Sequence, residues 1–415
     1  MNGVLSNEVK QALQDIYYNV RTGRGAEAFA LLERASEAGD GDATCVLARC
    51  LCGYQYVWGG HGFPEDDKRA TKLLHKSVEQ GSALGVLVAL RSGELTPSVQ
   101  KKMPFESLQA AFDEAEAMAA AGDAFCQYVV GNSYFWWDFL RIQNKGKDSF
   151  PNQAAFKAYL KENISKCEDW FWKAFRGGVH FAANNLNRYY TQGDEDIIAP
   201  QPEKAKDLWK IGAELGYPTH QYIYAADLKK EGRYEEALHW FQESAAANNS
   251  DCWFEIGFLY WEGKGVPQDR AYAVSCYEKE LALNPNHTGG NNHLGRAYFL
   301  GEGVPQDYAK AFHHLSIAHD VRGSKWGVYY LAKCCFNGWG VPQDYARALQ
   351  YLNEMDWDHW EANYFRGVIY GRGLGGVQAD IPKAVAYLQK AGNHPEPKEE
   401  LLHYKKTLFG KWVRR

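Results

Sequence analysis

One five-residue phrase, repeated, limits what this chain can become. Gly265-Val266-Pro267-Gln268-Asp269 returns as Gly303-Val304-Pro305-Gln306-Asp307 and as Gly340-Val341-Pro342-Gln343-Asp344, with a worn copy at Gly376-Val377-Gln378-Ala379-Asp380. The steps between copies are 38, 37 and 36 residues. Self-similarity at a fixed period of this size marks a stack of small supersecondary units, none of which can bury its apolar face alone. A stack also frees a chain of 415 residues from the size limit of a single globular core, because its core lengthens along an axis.

Upstream of each copy runs a short apolar stripe. Ile256-Gly257 with Tyr260-Trp261, Leu294-Gly295 with Tyr298-Phe299, and Leu331-Ala332 with Cys335-Phe336 each set a large residue beside a small one, then another large residue at i+4. That spacing predicts one face of an α-helix, with the small residue admitting a neighbouring helix closely. Gly263, Gly301 and Gly338 predict a left-handed cap at the end of that helix. The prolines of the phrase cannot extend it. Asp269, Asp307 and Asp344 then stand where the next helix needs an N-cap oxygen. Alanine-rich segments closed by Tyr277, Leu315 and Tyr351-Leu352 follow. Each unit reads as helix A, turn, helix B.

This wording resembles the Sel1-like repeat family, a relative of the tetratricopeptide repeats. The resemblance is specific over about 251–392 and looser over the first 250 residues. It implies an all-α, right-handed α-solenoid of about nine to ten helix-turn-helix repeats, serving as a scaffold or adaptor that binds proteins. Some bacterial members neutralise a toxin or effector, so a dedicated immunity-type inhibitor is the alternative.

Composition and motifs narrow the function classes. A net charge of −5 gives no overall pull toward nucleic acid. Nine cysteines, an odd number with no repeated spacing, read as small core residues in a reducing compartment. Met1-Asn2-Gly3-Val4 lacks a basic segment leading into an apolar run, and the longest apolar stretch, 81–90, is too short to cross a bilayer. The expected place is the cytoplasm, without membrane insertion. His313-His314 diverge on a helix, and no Cys-x-x-Cys or His-Glu-x-x-His occurs, so no metal is expected. Gly371-Arg372-Gly373-Leu374-Gly375-Gly376 has the composition of a phosphate loop, but it joins two helices and reads as a repeat turn. No Ser/His/Asp arrangement stands out, so neither a catalytic activity nor a cofactor is expected.

In chain order, 7–39 reads as an opening helix pair, and 43–81 as a fuller unit with the glycine-rich loop Gly59-Gly60-His61-Gly62-Phe63-Pro64. A third unit spans 82–122. In the fourth, Val130-Gly131 and Tyr134-Phe135 keep the helix A stripe, but an insertion at 136–167 replaces the turn. It carries Trp136, Trp137, Phe139, Phe150, Phe156 and Tyr159, and 152–163 is predicted to add a helix. Its aromatics either cover a gap between neighbours or offer a second contact surface, led by Trp136 and Trp137. Residues 217–250 form a shorter unit. In the last unit Arg366 replaces the first large apolar residue, as suits an end unit with less packing. The array is read as continuous over 1–392, with a capping helix and basic tail at 393–415.

The docking face follows from helix geometry. Take the first large apolar residue of helix A as position zero. At ~100° per residue the packed arc centres near about 50°, and positions −1 and +2 point away from it, at about 260° and 200°. Position −1 holds Glu255, His293, Tyr330 and Phe365; position +2 holds Phe258, Arg296, Lys333 and Val368. Helix A lines the concave side in the resembling family, so these eight are the candidate groove residues for a protein or extended peptide. Trp261, Phe299 and Phe336, at position +5, are expected to pack between repeats instead.

Overall fold

A computed structural model of the chain describes residues 4–18, 23–52, 63–194, 196–247, 249 and 251–415. The expected glycine-rich loop at Gly59 to Gly62 lies outside them. The chain forms two compact units, Met1–His220 and Gln221–Arg415, and each is an α-solenoid of stacked helical hairpins.

In Gln221–Arg415 the repeated phrase does the organising. It joins Asp251–Glu262 to Arg270–Leu283, Thr288–Leu300 to Tyr308–Arg322, Val328–Asn337 to Tyr345–Glu354, and Trp360–Arg372 to Ile381–Lys390. The aspartates cap as expected: Asp269, Asp307, Asp344 and Asp380 accept the backbone N–H of Tyr272, Lys310, Arg347 and Lys383 at 2.9–3.0 Å. The glutamine has its own task. Gln268, Gln306 and Gln343 each donate a side-chain N–H to a carbonyl in the last turn of helix A, that of Trp261, Phe299 and Phe336, at 2.8–2.9 Å. One phrase therefore satisfies orphan groups of both helices it connects.

Two glycine positions set the packing. Gly301 ends its helix in the left-handed region, at φ 69° and ψ 33°. Gly303, at φ 77°, lies so close to the preceding helix B that an added Cβ would sit 2.4 Å from the Arg270 carbonyl oxygen. In the worn copy the extra residue Gly375 takes the equivalent place, against Ala346 of the preceding helix B. Within each hairpin, Gly257, Gly295 and Gly367 of helix A admit the Tyr277, Leu315 and Leu388 side chains of helix B.

Two expectations for this unit are corrected. Arg366 is buried, at 7 % exposure. It donates to Asn363 at 3.1 Å and to the Leu352 carbonyl, and its guanidinium lies 5.6 Å from the Tyr387 ring centre. It packs as fully as the apolar residue it replaces, because two acceptors and a ring compensate its desolvation. The capping helix expected over 393–415 covers only Pro395–Leu401. Tyr404–Lys406 then pairs antiparallel with Trp412–Arg414 around a turn at Gly410, φ 76°. Thr407, Val413 and Trp412 favour extended backbone, and buried Tyr404 anchors the hairpin by donating to Glu400 at 3.1 Å.

In Met1–His220 the helices Gly41–Leu51, Ala83–Ser92, Ala124–Phe135 and Ala182–Gln192 are helices A; Asp67–Glu79, Leu108–Ala120, Gln153–Arg176 and Pro202–Glu214 are helices B. One apolar cluster runs through them from Leu5 to Leu208. Each fully buried ring, such as Phe171 or Phe175, contributes about 1.5–3 kcal/mol. The helix expected at 152–163 is present, capped by Asn152 on Ala155 at 2.9 Å, but it runs on without a break to Arg176 and doubles helix B. The aromatics of the insertion mostly pack on one another: Phe150 on Tyr159 at 4.9 Å, and Tyr159 on Phe139 at 5.8 Å. At the start of the chain, Asn7–Leu13 passes into a π-helical turn, Gln14–Tyr18. That turn sends Tyr17 against Phe125 and Phe181, at 5.1 and 5.5 Å, and lets the Tyr18 hydroxyl accept the Phe125 N–H at 2.9 Å.

Candidate functional site

In Gln221–Arg415 four of the eight predicted groove residues, Phe258, His293, Arg296 and Tyr330, join a half-exposed strip. His293 is its hub. Its ring lies among Tyr277, Phe254, Trp326 and Phe258 at centroid distances of 5.1, 5.6, 5.7 and 6.2 Å. Burial, and then the Arg296 charge, push the imidazole pKa down to about 4, so the ring is neutral at pH 7. Its Nδ1 and the buried Tyr277 hydroxyl have no hydrogen-bond partner among the described residues. Arg296 lies over Trp261 at 5.6 Å; among the described residues its Nε meets no acceptor and its guanidinium no carboxylate. Tyr330 extends the strip, 6.4 Å from Trp326 and 4.8 Å from Phe299. Phe258 lies under the ammonium groups of Lys229 and Lys264, at 4.8 and 5.3 Å.

The other predicted residues are engaged by neighbours. Glu255 pairs with Lys229 at 2.5 Å and Lys333 with Glu361 at 3.0 Å. Phe365 and Val368 are only 3 % and 4 % exposed, and Phe365 stacks flat on Phe336 at 4.1 Å. In the last unit both outward positions are apolar, and packing takes them. Trp326, 44 % exposed, escaped the positional rule because it precedes Val328–Asn337 rather than lying on it. An aromatic between Lys325 and Gly327, just ahead of a helix A, is the signal that marks it.

In Met1–His220 helices A enclose a cavity of about 370 Å³. Its lining includes Arg49, Leu87, Arg91, Tyr128, Val129, Asn132, Trp136 and Asn185. With Val130 as position zero, Val129 and Asn132 are −1 and +2; with Leu186, Asn185 and Arg188 are. The positional rule thus reaches this unit too, although the sequence reading applied it only to the last four. Trp136, 43 % exposed, stands at the wall with the Arg188 guanidinium 4.8 Å from its ring centre. Trp137 turns away at φ 67° and donates its indole N–H to Asp194 at 2.8 Å, which ties it to the scaffold. Arg91 is bound by Asp138, with Nε at 2.7 Å. Arg49, 5 % exposed, is held over Phe125 and Tyr17 at 5.1 and 5.9 Å.

Both surfaces offer aromatic faces, amides and guanidiniums. Among the described residues no three His, Cys, Asp or Glu side chains gather to hold a metal ion.

The Sel1 repeat family model matches residues 25–40, 46–82, 180–217, 226–249, 254–279, 290–318, 327–354 and 360–394, more than half of the chain. The DAP3-binding cell death enhancer 1 of Rattus norvegicus is 29% identical over 94 residues, 22% of this chain and 18% of that protein. Chitin synthase regulatory factor 4 of Schizosaccharomyces pombe is 26% identical over 116 residues, 26% of this chain and 18% of that protein. The match thus spans under a fifth of either relative's length. A solved Sel1 repeat protein from Oxalobacter formigenes aligns over 81% of this chain and 92% of its own at 20% identity, with a TM-score of 0.45.

Proposed function

The chain belongs to the Sel1 repeat family, and from that premise we propose that it is a non-catalytic scaffold or adaptor that docks a protein or an extended peptide on its helix A surface. The strip of Phe258, His293, Trp326 and Tyr330 beside Arg296 carries this reading. Aromatic and arginine side chains are the types that anchor interfaces, and a partner carboxylate would satisfy the guanidinium. A surface preformed on packed helices loses little freedom when a partner binds. The strongly perturbed groups of the strip, His293 and Tyr277, owe their shifts mainly to burial in packing, which suits a docking wall better than a proton relay. A reducing compartment such as the cytoplasm fits nine free cysteines, eight of them buried. No described helix is long and apolar enough to cross a membrane.

The test begins with the purified chain as bait and identification of the chain it retains. Titration calorimetry with that partner then compares wild type with Phe258→Ala and Arg296→Ala. Each substitution is expected to weaken binding by about 1–3 kcal/mol. Unchanged affinity in both would move the docking surface elsewhere.

A further inference from the structure

We propose that the cavity in Met1–His220 is a pocket for the acidic side chain, aspartate or glutamate, of an extended peptide. The proposal rests on the docking reading but not on the Phe258–Tyr330 strip. Charge comes first. The described lining carries two guanidiniums, Arg49 and Arg91, and no carboxylate; the nearby Asp138 is held by Arg91. Arg188, exposed and not itself part of the lining, lies over the lining residue Trp136, with no ion-pair partner among the described residues. Arg49 is buried between two rings, where water screens its field weakly. Such a cavity favours an anion over a neutral or cationic side chain.

Hydrogen bonding adds the peptide. Asn185 donates its side-chain N–H to Asn132 across successive helices A at 2.9 Å. That bond leaves the Asn132 amide N–H and the Asn185 amide oxygen without a partner among the described residues. One donor and one acceptor side by side match the C=O and N–H that a single residue of an extended peptide presents on one side. Leu87 and Val129 supply apolar surface for the methylene stem, and about 370 Å³ admits a glutamate side chain with its flanking backbone.

The probes are three blocked pentapeptides, Ac-Ala-Ala-Xaa-Ala-Ala-NH2, with Glu, Gln or Lys at the centre. The full chain is labelled at its indole nitrogens, and Trp136→Phe assigns the Trp136 signal. The Glu peptide is expected to shift that signal and to bind at least about tenfold more tightly than the Gln peptide, with no shift from the Lys peptide. Arg188→Gln, an exposed change that leaves the helical circular dichroism intact, is expected to cut the Glu preference to below about threefold and leave the Gln peptide unaffected. Equal binding of the Glu and Gln peptides, no shift from any peptide up to about 10 mM, or an undiminished Glu preference in Arg188→Gln would overturn the proposal. Phe258→Ala leaves these shifts unchanged, so failure here and failure of the strip reading are separate results.

Discussion

Gly303 sets the distance between two hairpins with a single hydrogen atom. An alanine there meets two penalties together, a φ of 77° and a Cβ 2.4 Å from the Arg270 carbonyl oxygen. Gly303→Ala is therefore expected to destabilise Gln221–Arg415 by more than about 2 kcal/mol in urea unfolding. Gly323→Ala, at φ 60° with nothing within 4 Å of the added Cβ, is expected to cost about 1 kcal/mol. Similar losses in the two variants would show that contact with the preceding hairpin plays no part. The caps and turns of the phrase are legible in sequence because they act within a few residues: Asp307 needs only Lys310, three positions on. The close approach of Gly303 is not legible in the same way, since its partner lies in another repeat. His293 lies between these cases. Helix geometry points it outward, but the rings around it come from three separate segments: Asp251–Glu262, Arg270–Leu283 and the stretch at Trp326.

At the scale of elements, the insertion and the chain end show where local reading stops. Asn152 announces a helix, and nothing between it and Arg176 breaks one, so the helix read over 152–163 continues through helix B. The C-terminal lysines and arginines read as a solvated helical end. Their alternation with Tyr404, Trp412 and Val413 instead builds a hairpin against Ile381–Lys390. Tyr404 is 2 % exposed, and its hydroxyl shares Glu400 with Arg372. Deleting 402–415 is expected to cost about 2–4 kcal/mol through the lost ring and to speed amide exchange across Ile381–Lys390. Tyr404→Phe, which keeps the ring, is expected to lose about 0.5–1.5 kcal/mol. Exchange as slow as wild type in the deletion would reduce the hairpin to an ornament.

Across the whole molecule, buried neutral imidazoles tie stability to pH. Burial, with His180 beside it, pushes His220 down to about 3, and burial with Arg296 pushes His293 down to about 4, from an ordinary 6.5. The unfolded chain takes up protons below about 6.5 while the folded chain does not. Stability is therefore full above that pH and falls progressively toward 4, by roughly 1–2 kcal/mol for each histidine between pH 7 and pH 5. Urea melts at the two pH values read this loss, and His293→Phe is expected to be less sensitive by one histidine's share; equal sensitivity would refute the assignment. The repeat period made the last four hairpins plain and left the first unit dim. The family match passes over 83–179, which holds most of the cavity lining, though not Arg49 or Asn185. The π-helical turn at Gln14–Tyr18 adds a consequence in time. Tyr17 needs Phe125 and Phe181 to complete its surroundings. A nascent chain extended at about 5–20 residues per second must hold that first tyrosine exposed, for on the order of ten seconds, before the ribosome supplies its last neighbour.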